Sequence, residues 1–334
     1  MKKRIKDFHR KVNIHGVPFE VIWGEAGLLN FYGQGWPYHK ILDKLGINFD
    51  GLTFVSKTTT LEAHKSNIKL KDDLMPKKFF RKNIHIDRKN QCVLKDLNPD
   101  GPGANTVLSS YQLHERTDPF QISFISSINT EEKRLSEFDE FVTMLLKSKN
   151  DFKAQIGLQL DFTEYKSREL QTMLKILDMC TPLVEKGIPI IVKISVEMPI
   201  ENVIQFEKHS NCYAITISSM VKFGNLPNEI NWKKLYPDGS PLIEKSLHIL
   251  DLGGLSGKII LPLILTYIKG LRDAGFHKHI NSGGPLNKND VEALHHAGAN
   301  SISLDSIEFL KPWAIGSVRR KAWELFGDKE NLYK

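Results

Sequence analysis

Residues 278–304 read KHINSGGPLNKNDVEALHHAGANSISL. A short apolar run at 278–281 ends in the glycine pair Gly283-Gly284. Asn287 and Asn289 follow, then helical spacing over 290–297, then Gly298, then a second apolar run at 301–304. Runs this short and rich in branched residues predict strands buried on both faces of a parallel sheet. Asn287 or Asn289 stands where a helix needs a side-chain cap, and Gly298 where one ends in a left-handed residue. The stretch is one strand–helix–strand unit.

The unit recurs outward along the chain. Further apolar runs occupy 17–23, 51–56, 120–125, 156–160, 188–194 and 212–217. Helical spacing fills 36–45, 135–147, 170–185 and 259–274, with Gly46, Gly187 and Gly275 at helix ends and Pro262 in a first turn. Roughly eight such repeats predict an α/β fold, a single-domain (β/α)8 TIM barrel with long βα loops. An open doubly wound sheet is the rival, but no GxGxxG follows the first strand. The expected division is an N-terminal arm at 1–16, the barrel at 17–327 and a tail at 328–334. Long loops are expected at 61–102 and 222–250, where covers over a barrel mouth usually lie.

Bulk properties narrow the classes. The net charge of +7 is spread along the chain without an arginine-rich tract, so it reads as solubility with a mild preference for anionic ligands. No nucleic-acid motif is present. Cys92, Cys180 and Cys212 are isolated, which argues against a zinc site or a disulfide framework. His295-His296 are adjacent on a helix and His277 and His279 lack a third ligand, so no metal is expected. The charged start at 1–11 is no signal peptide, and no apolar run is long enough to cross a bilayer. The expected location is the cytoplasm.

Barrel chemistry is built at strand ends, and charged residues stand there. Lys57 follows the second strand, and Lys193 lies inside the fifth, in Ile191-Val192-Lys193-Ile194. A lysine in such a strand either faces a ligand at the mouth or forms a salt bridge, because an unpaired buried charge is costly. Asp161, Thr163 and Glu164 follow the fourth strand; they are candidate acid–base groups, or a solvated loop with a helix cap. Gly253-Gly254-Leu255-Ser256-Gly257 and Gly283-Gly284 read as a phosphate cradle of free backbone amides, or as plain turns.

These glycine turns, with Ser56-Lys57-Thr58-Thr59-Thr60-Leu61-Glu62, Val192-Lys193-Ile194-Ser195 and Ala297-Gly298-Ala299, give a pattern that resembles the dihydroorotate dehydrogenase family along most of the chain. The resemblance implies an FMN-binding barrel that oxidises dihydroorotate to orotate in pyrimidine biosynthesis. It implies FMN contacts from Ala26, Gly27, Lys57, Thr58, Lys193, Gly257, Gly283, Gly284 and Ser306. It implies a pyrimidine-like anion as substrate, held by Lys57, Asn105, Ser218 and Ser219, and a dimer, which the family often forms.

The chain departs from that family where the substrate would bind. The segment expected to carry the catalytic base reads Gln159-Leu160-Asp161-Phe162-Thr163-Glu164. Phe162 cannot take a proton; Thr163 substitutes for it if the loop shifts by one residue, with Asp161 and Lys193 as further catalytic candidates. Thr216-Ile217-Ser218-Ser219 replaces paired asparagines, and Asp305-Ser306 replaces Gly-Thr at the last phosphate contact. A carboxylate at Asp305 either repels a phosphate, by roughly 4 kcal/mol at about 4 Å, or turns away to cap the next helix. Two alternatives stand beside the flavoenzyme: a non-catalytic barrel homologue serving as a binding or scaffold protein, and a flavin-free barrel acting on a phosphorylated sugar.

Overall fold

The computed structural model describes residues 10–64, 71, 73–77, 83–96, 101–126, 130–242 and 253–327. Most of the arm, parts of both long loops and the tail at 328–334 lie outside the described residues. The strands are β1 (Lys11–Ile14), β2 (Val17–Glu20), β3 (Ile22–Gly24), β4 (Phe54–Val55), β5 (Ile84–Asp87), β6 (Cys92–Lys95) and β7 (Phe120–Phe124). They continue with β8 (Ile156–Asp161), β9 (Ile190–Ile194), β10 (Cys212–Ile217), β11 (Val221–Lys222), β12 (Gly254–Gly257), β13 (His279–Ser282) and β14 (Ser301–Leu304).

Eight of these form one parallel sheet in the order β3-β14-β13-β10-β9-β8-β7-β4. A parallel bridge from Trp23 to Thr53 joins its two ends, so the sheet closes on itself. The fold is a (β/α)8 TIM barrel, as the repeats predict. The connecting helices bury one apolar stripe each. In Leu261–Asp273 the inward residues are Leu261, Ile264, Tyr267, Ile268 and Leu271, at the three- and four-residue spacing of a helix face. Among the described residues no helix is long and apolar enough to cross a membrane.

The helix Lys288–Ala297 starts as its sequence demands. The Asn287 side chain accepts from the amides of Asn289 (2.8 Å) and Asp290 (3.3 Å), and the Asp290 carboxylate accepts from the Asn287 amide at 3.1 Å. Asn287→Ala removes this reciprocal cap and is expected to cost about 1 kcal/mol, read as a lowered urea midpoint.

The arm does more than lead into the barrel. β1 pairs antiparallel with β2, and the hairpin buries Val12, Ile14, Val17 and Phe19. Phe19 packs on β8 at Gly157, where an added Cβ would lie 2.9 Å from the ring.

The long loops contain a second sheet that their composition conceals. Its order is β11-β12-β6-β5, antiparallel throughout. The stretch read as a phosphate turn, Gly254–Gly257, is the strand β12, paired residue for residue with β6 from Lys95 to Cys92. Its glycine content answers to that pairing. A Cβ on Gly257, where φ is +109°, would sit 2.5 Å from the Gln91 carbonyl oxygen. The sheet carries Lys95 and Asp96 to the mouth of the barrel.

Candidate active site

The strands β3, β4, β8 and β9 end at a common cavity of about 140 Å3. Ala26 and Gly27 come from the turn after β3, Lys57 and Thr58 from the turn after β4, Asp161 and Thr163 from the end of β8, and Lys193 from β9. Residues read separately from the sequence as ring contacts and as catalytic candidates thus meet in one place.

Lys193 is the centre of the charge arrangement. Its ammonium lies 3.0 Å from Glu25 Oε1 and 3.1 Å from Asp161 Oδ2, and all three side chains are buried. Burial alone would lower the lysine pKa. The charges of Asp161 and then Glu25 outweigh it and hold Lys193 well above the ordinary lysine range. Burial pushes the Glu25 carboxyl up, Lys193 opposes the shift, and Asp305 and Asp161 add to it. One cation thus serves two buried carboxylates. Among the described residues Glu25 Oε2 has no hydrogen-bond partner.

Asp161 also receives the loop after β8. The Thr163 amide donates to its Oδ1 at 3.1 Å and the Thr163 hydroxyl at 2.5 Å, while the Thr58 hydroxyl reaches Oδ2 at 3.4 Å. Thr58 Oγ1 is also 2.9 Å from Ser123 Oγ inside the barrel. The Thr163 hydroxyl thus donates to a carboxylate, an arrangement in which a proton leaving that hydroxyl has an acceptor in place. Phe162, at the position where a base was sought, is buried in the core against Tyr165 and Phe206.

Lys57 Nζ lies 5.3 Å from the Phe31 ring centroid, a cation–π contact, and its stem crosses Gly27. A Cβ on Gly27 would be 3.3 Å from Lys57 Cγ, so the glycine makes room for the lysine.

The other end of the predicted site is differently built. Lys95 forms an ion pair with Asp305, and its Nζ lies 5.1 Å from the Phe309 ring centroid. Asp305 therefore turns neither to solvent nor to the cap of the helix Ile307–Leu310, which has no side-chain cap bond. Ser306 Oγ is 2.5 Å from Ser256 Oγ on β12. The Gly283 amide donates to the Ile217 carbonyl at 3.2 Å, and a Cβ on Gly283 would meet Ser219 at 2.9 Å and Glu25 Oε2 at 3.3 Å. The space beside Gly284 holds Ile264 and Leu261. Gly257, Gly283, Gly284 and Ser306 do not line the cavity. Asn105 is exposed on the helix Ala104–Leu108, and Ser218 and Ser219 are buried outside the cavity wall.

FMN can be tested against these groups. The ring half fits: a cation on β9, a second over Gly27 and the Thr58 hydroxyl converge on one cavity. At the phosphate half the Gly283 amide, Lys95 and the Ser306 hydroxyl are engaged by the chain's own groups, and 140 Å3 falls below the roughly 300–1,000 Å3 of small-molecule pockets. Seating the whole cofactor requires the Lys95–Asp305 pair to open. The wall is also acidic. Among the described residues, Glu25, Asp96, Asp161, Glu164, Asp305 and Glu308 face Lys57, Lys95 and Lys193, six carboxyl groups against three amines. Among the described residues no group of three or more His, Cys, Asp or Glu has the arrangement of a metal site.

Sequence reasoning missed Glu25 and Lys95. Glu25 stands between Gly24 and the predicted contact Ala26, so its place after the first barrel strand was the available signal. Lys95 lies on a strand inside what reads as loop; the apolar run Cys92-Val93-Leu94 before it was the only cue.

No family model matches the chain, and no curated protein matches it. Among solved structures it is similar to a mandelate oxidase variant with benzaldehyde, at 9% identity and a TM-score of 0.40, covering 98% of this chain and 80% of that one. Mandelate oxidase with (S)-2-phenylpropionate gives 8% identity and a TM-score of 0.40, covering 97% and 77%. A thiamine phosphate pyrophosphorylase from Pyrococcus furiosus gives 9% identity and a TM-score of 0.28, covering 64% and 87%. The barrel assignment rests on this chain's own strand pairing.

Proposed function

We propose that this barrel is an FMN-dependent oxidoreductase of the dihydroorotate dehydrogenase type with an altered substrate. The observation that carries the reading is the convergence of Ala26, Gly27, Lys57, Thr58 and Lys193 on one mouth. Bound there, FMN supplies a two-electron acceptor for a substrate C–H bond. Lys193 would hold positive charge beside the bound cofactor. Thr163, through Asp161, takes the proton that leaves the substrate. Lys57 and Thr58, on the same cavity wall, would help to hold the cofactor there.

Dihydroorotate is the finer form of the reading, and the pocket argues for a different ligand. The amide-bearing side chains that match an imide and a carboxylate are replaced, and the wall carries more carboxyl groups than amines. A substrate with N–H or ammonium donors suits such a wall better than a pyrimidine-like anion.

Purified protein is expected to show the visible flavin band, or to gain it after incubation with FMN and desalting. Protein that stays colourless under both conditions overturns the flavoenzyme. Anaerobic addition of dihydroorotate is expected to leave a loaded flavin oxidised; rapid bleaching would restore the parent substrate.

A second reading is a barrel homologue that binds without catalysis. The specific observation in its favour is that Lys193 and Lys95 are already satisfied by the chain's own carboxylates. Colourless protein stabilised by a small ligand is its expected signature.

A further inference from the structure

One of the expected phosphate amides, that of Gly283, is already engaged by the chain itself. The Gly283 amide serves the Ile217 carbonyl, and Gly257 lies within the β12–β6 ladder. Of the three lysines on the cavity wall, Lys193 is held between two carboxylates and Lys57 lies over Phe31 beside Gly27. The third, Lys95, stands at the predicted phosphate end. It pairs across β12 with Gly254, and its partner Asp305 directly precedes Ser306, whose hydroxyl meets Ser256 of the same strand. A phosphate entering beside Ser306 meets, among the described residues of the cavity wall, the ammonium of Lys95 and a carboxylate already bound to it.

We infer that Lys95 is the phosphate-binding cation of this barrel and that Asp305 is a built-in competitor, a latch that an incoming phosphate must displace. The inference rests on the flavin reading for the identity of the phosphate's carrier, but the latch itself needs only a phosphate. Displacement sets a carboxylate and a phosphate against each other for one ammonium. Phosphate affinity is therefore held down by the strength of the pair, and neutralising Asp305 releases it. Riboflavin has no phosphate and is indifferent to the latch.

The test is a titration of the full chain with FMN, riboflavin and inorganic phosphate, followed by flavin fluorescence and by thermal shift. Asp305→Asn is expected to tighten FMN by at least about tenfold, to leave riboflavin unchanged, and to make inorganic phosphate stabilising. The double variant Asp305→Asn with Lys95→Met is expected to lose both gains while remaining folded, since the pair leaves together and no buried charge is stranded. Equal FMN and phosphate responses in the native protein and Asp305→Asn overturn the latch. A gain that persists in the double variant overturns the role of Lys95. Phosphate stabilisation of Asp305→Asn with no flavin bound to any variant upholds the latch and sinks the flavoenzyme.

Discussion

Lys193→Met is expected to lower stability by about 3–5 kcal/mol at neutral pH and to abolish flavin binding. The ammonium of Lys193 compensates two buried carboxylates at 3.0 and 3.1 Å. Methionine keeps most of the stem's volume, so the change isolates the charge. Without it, the Asp161 charge raises the buried Glu25 carboxyl with no cation to oppose it. Burial already pushes the Glu25 carboxyl up with the lysine present. In the variant the folded-state Glu25 value rises further above the unfolded one. For an acid, that contribution is present at low pH and is lost as pH rises through the folded value. The variant is therefore expected to be more stable near about pH 5 than at about pH 7. Urea unfolding at both pH values reads this. Adding Glu25→Gln to Lys193→Met should recover part of the loss at neutral pH. A Lys193→Met midpoint within about 0.5 kcal/mol of the native one would mean that these charges are hydrated and the cluster is no closed site.

The barrel was legible because its strands are local patterns. The runs at 212–217 and 301–304 coincide with β10 and β14, and that at 188–194 contains β9. β12 was not legible. A run of glycines reads as a turn, and only its partner β6, some 160 positions earlier in the chain, makes it a strand. The same distance hid half of the site. Lys193 announced itself as a charge in an apolar strand, and Asp161 as a charge at a strand end. Glu25 has no such frame, and Lys95 acquires meaning only through Asp305, 210 residues away. Spacing along one element predicts which side chain is buried; it says nothing about which counter-charge the topology brings to it.

Acid should weaken the barrel through His279, the first residue of β13. Its ring stacks on Trp23 with centroids 5.7 Å apart, and its Nε2 is 2.7 Å from Ser301 Oγ. Burial, and after it the Arg272 guanidinium, lower its pKa from 6.5 to about 3. Arg272 is fixed nearby by bonds to the carbonyls of Gly298, Phe276 and Lys278. The imidazole is therefore neutral in the folded chain, whereas the unfolded chain takes up a proton below 6.5. Stability from His279 is fully present above that value and drains away as pH falls toward 3. At about 1.4 kcal/mol per unit the whole shift would be large, but the residue keeps some surface exposed, and about 2 kcal/mol is the expected loss. His279→Gln cannot titrate and should lack that part of the acid limb. The measurement is the difference between native and variant unfolding free energies at about pH 7 and about pH 4.5, in which the carboxylates common to both cancel. Parallel pH profiles would show that His279 takes up its proton in the folded barrel as readily as in the unfolded chain, and that the packing against Trp23 does not exclude a charge.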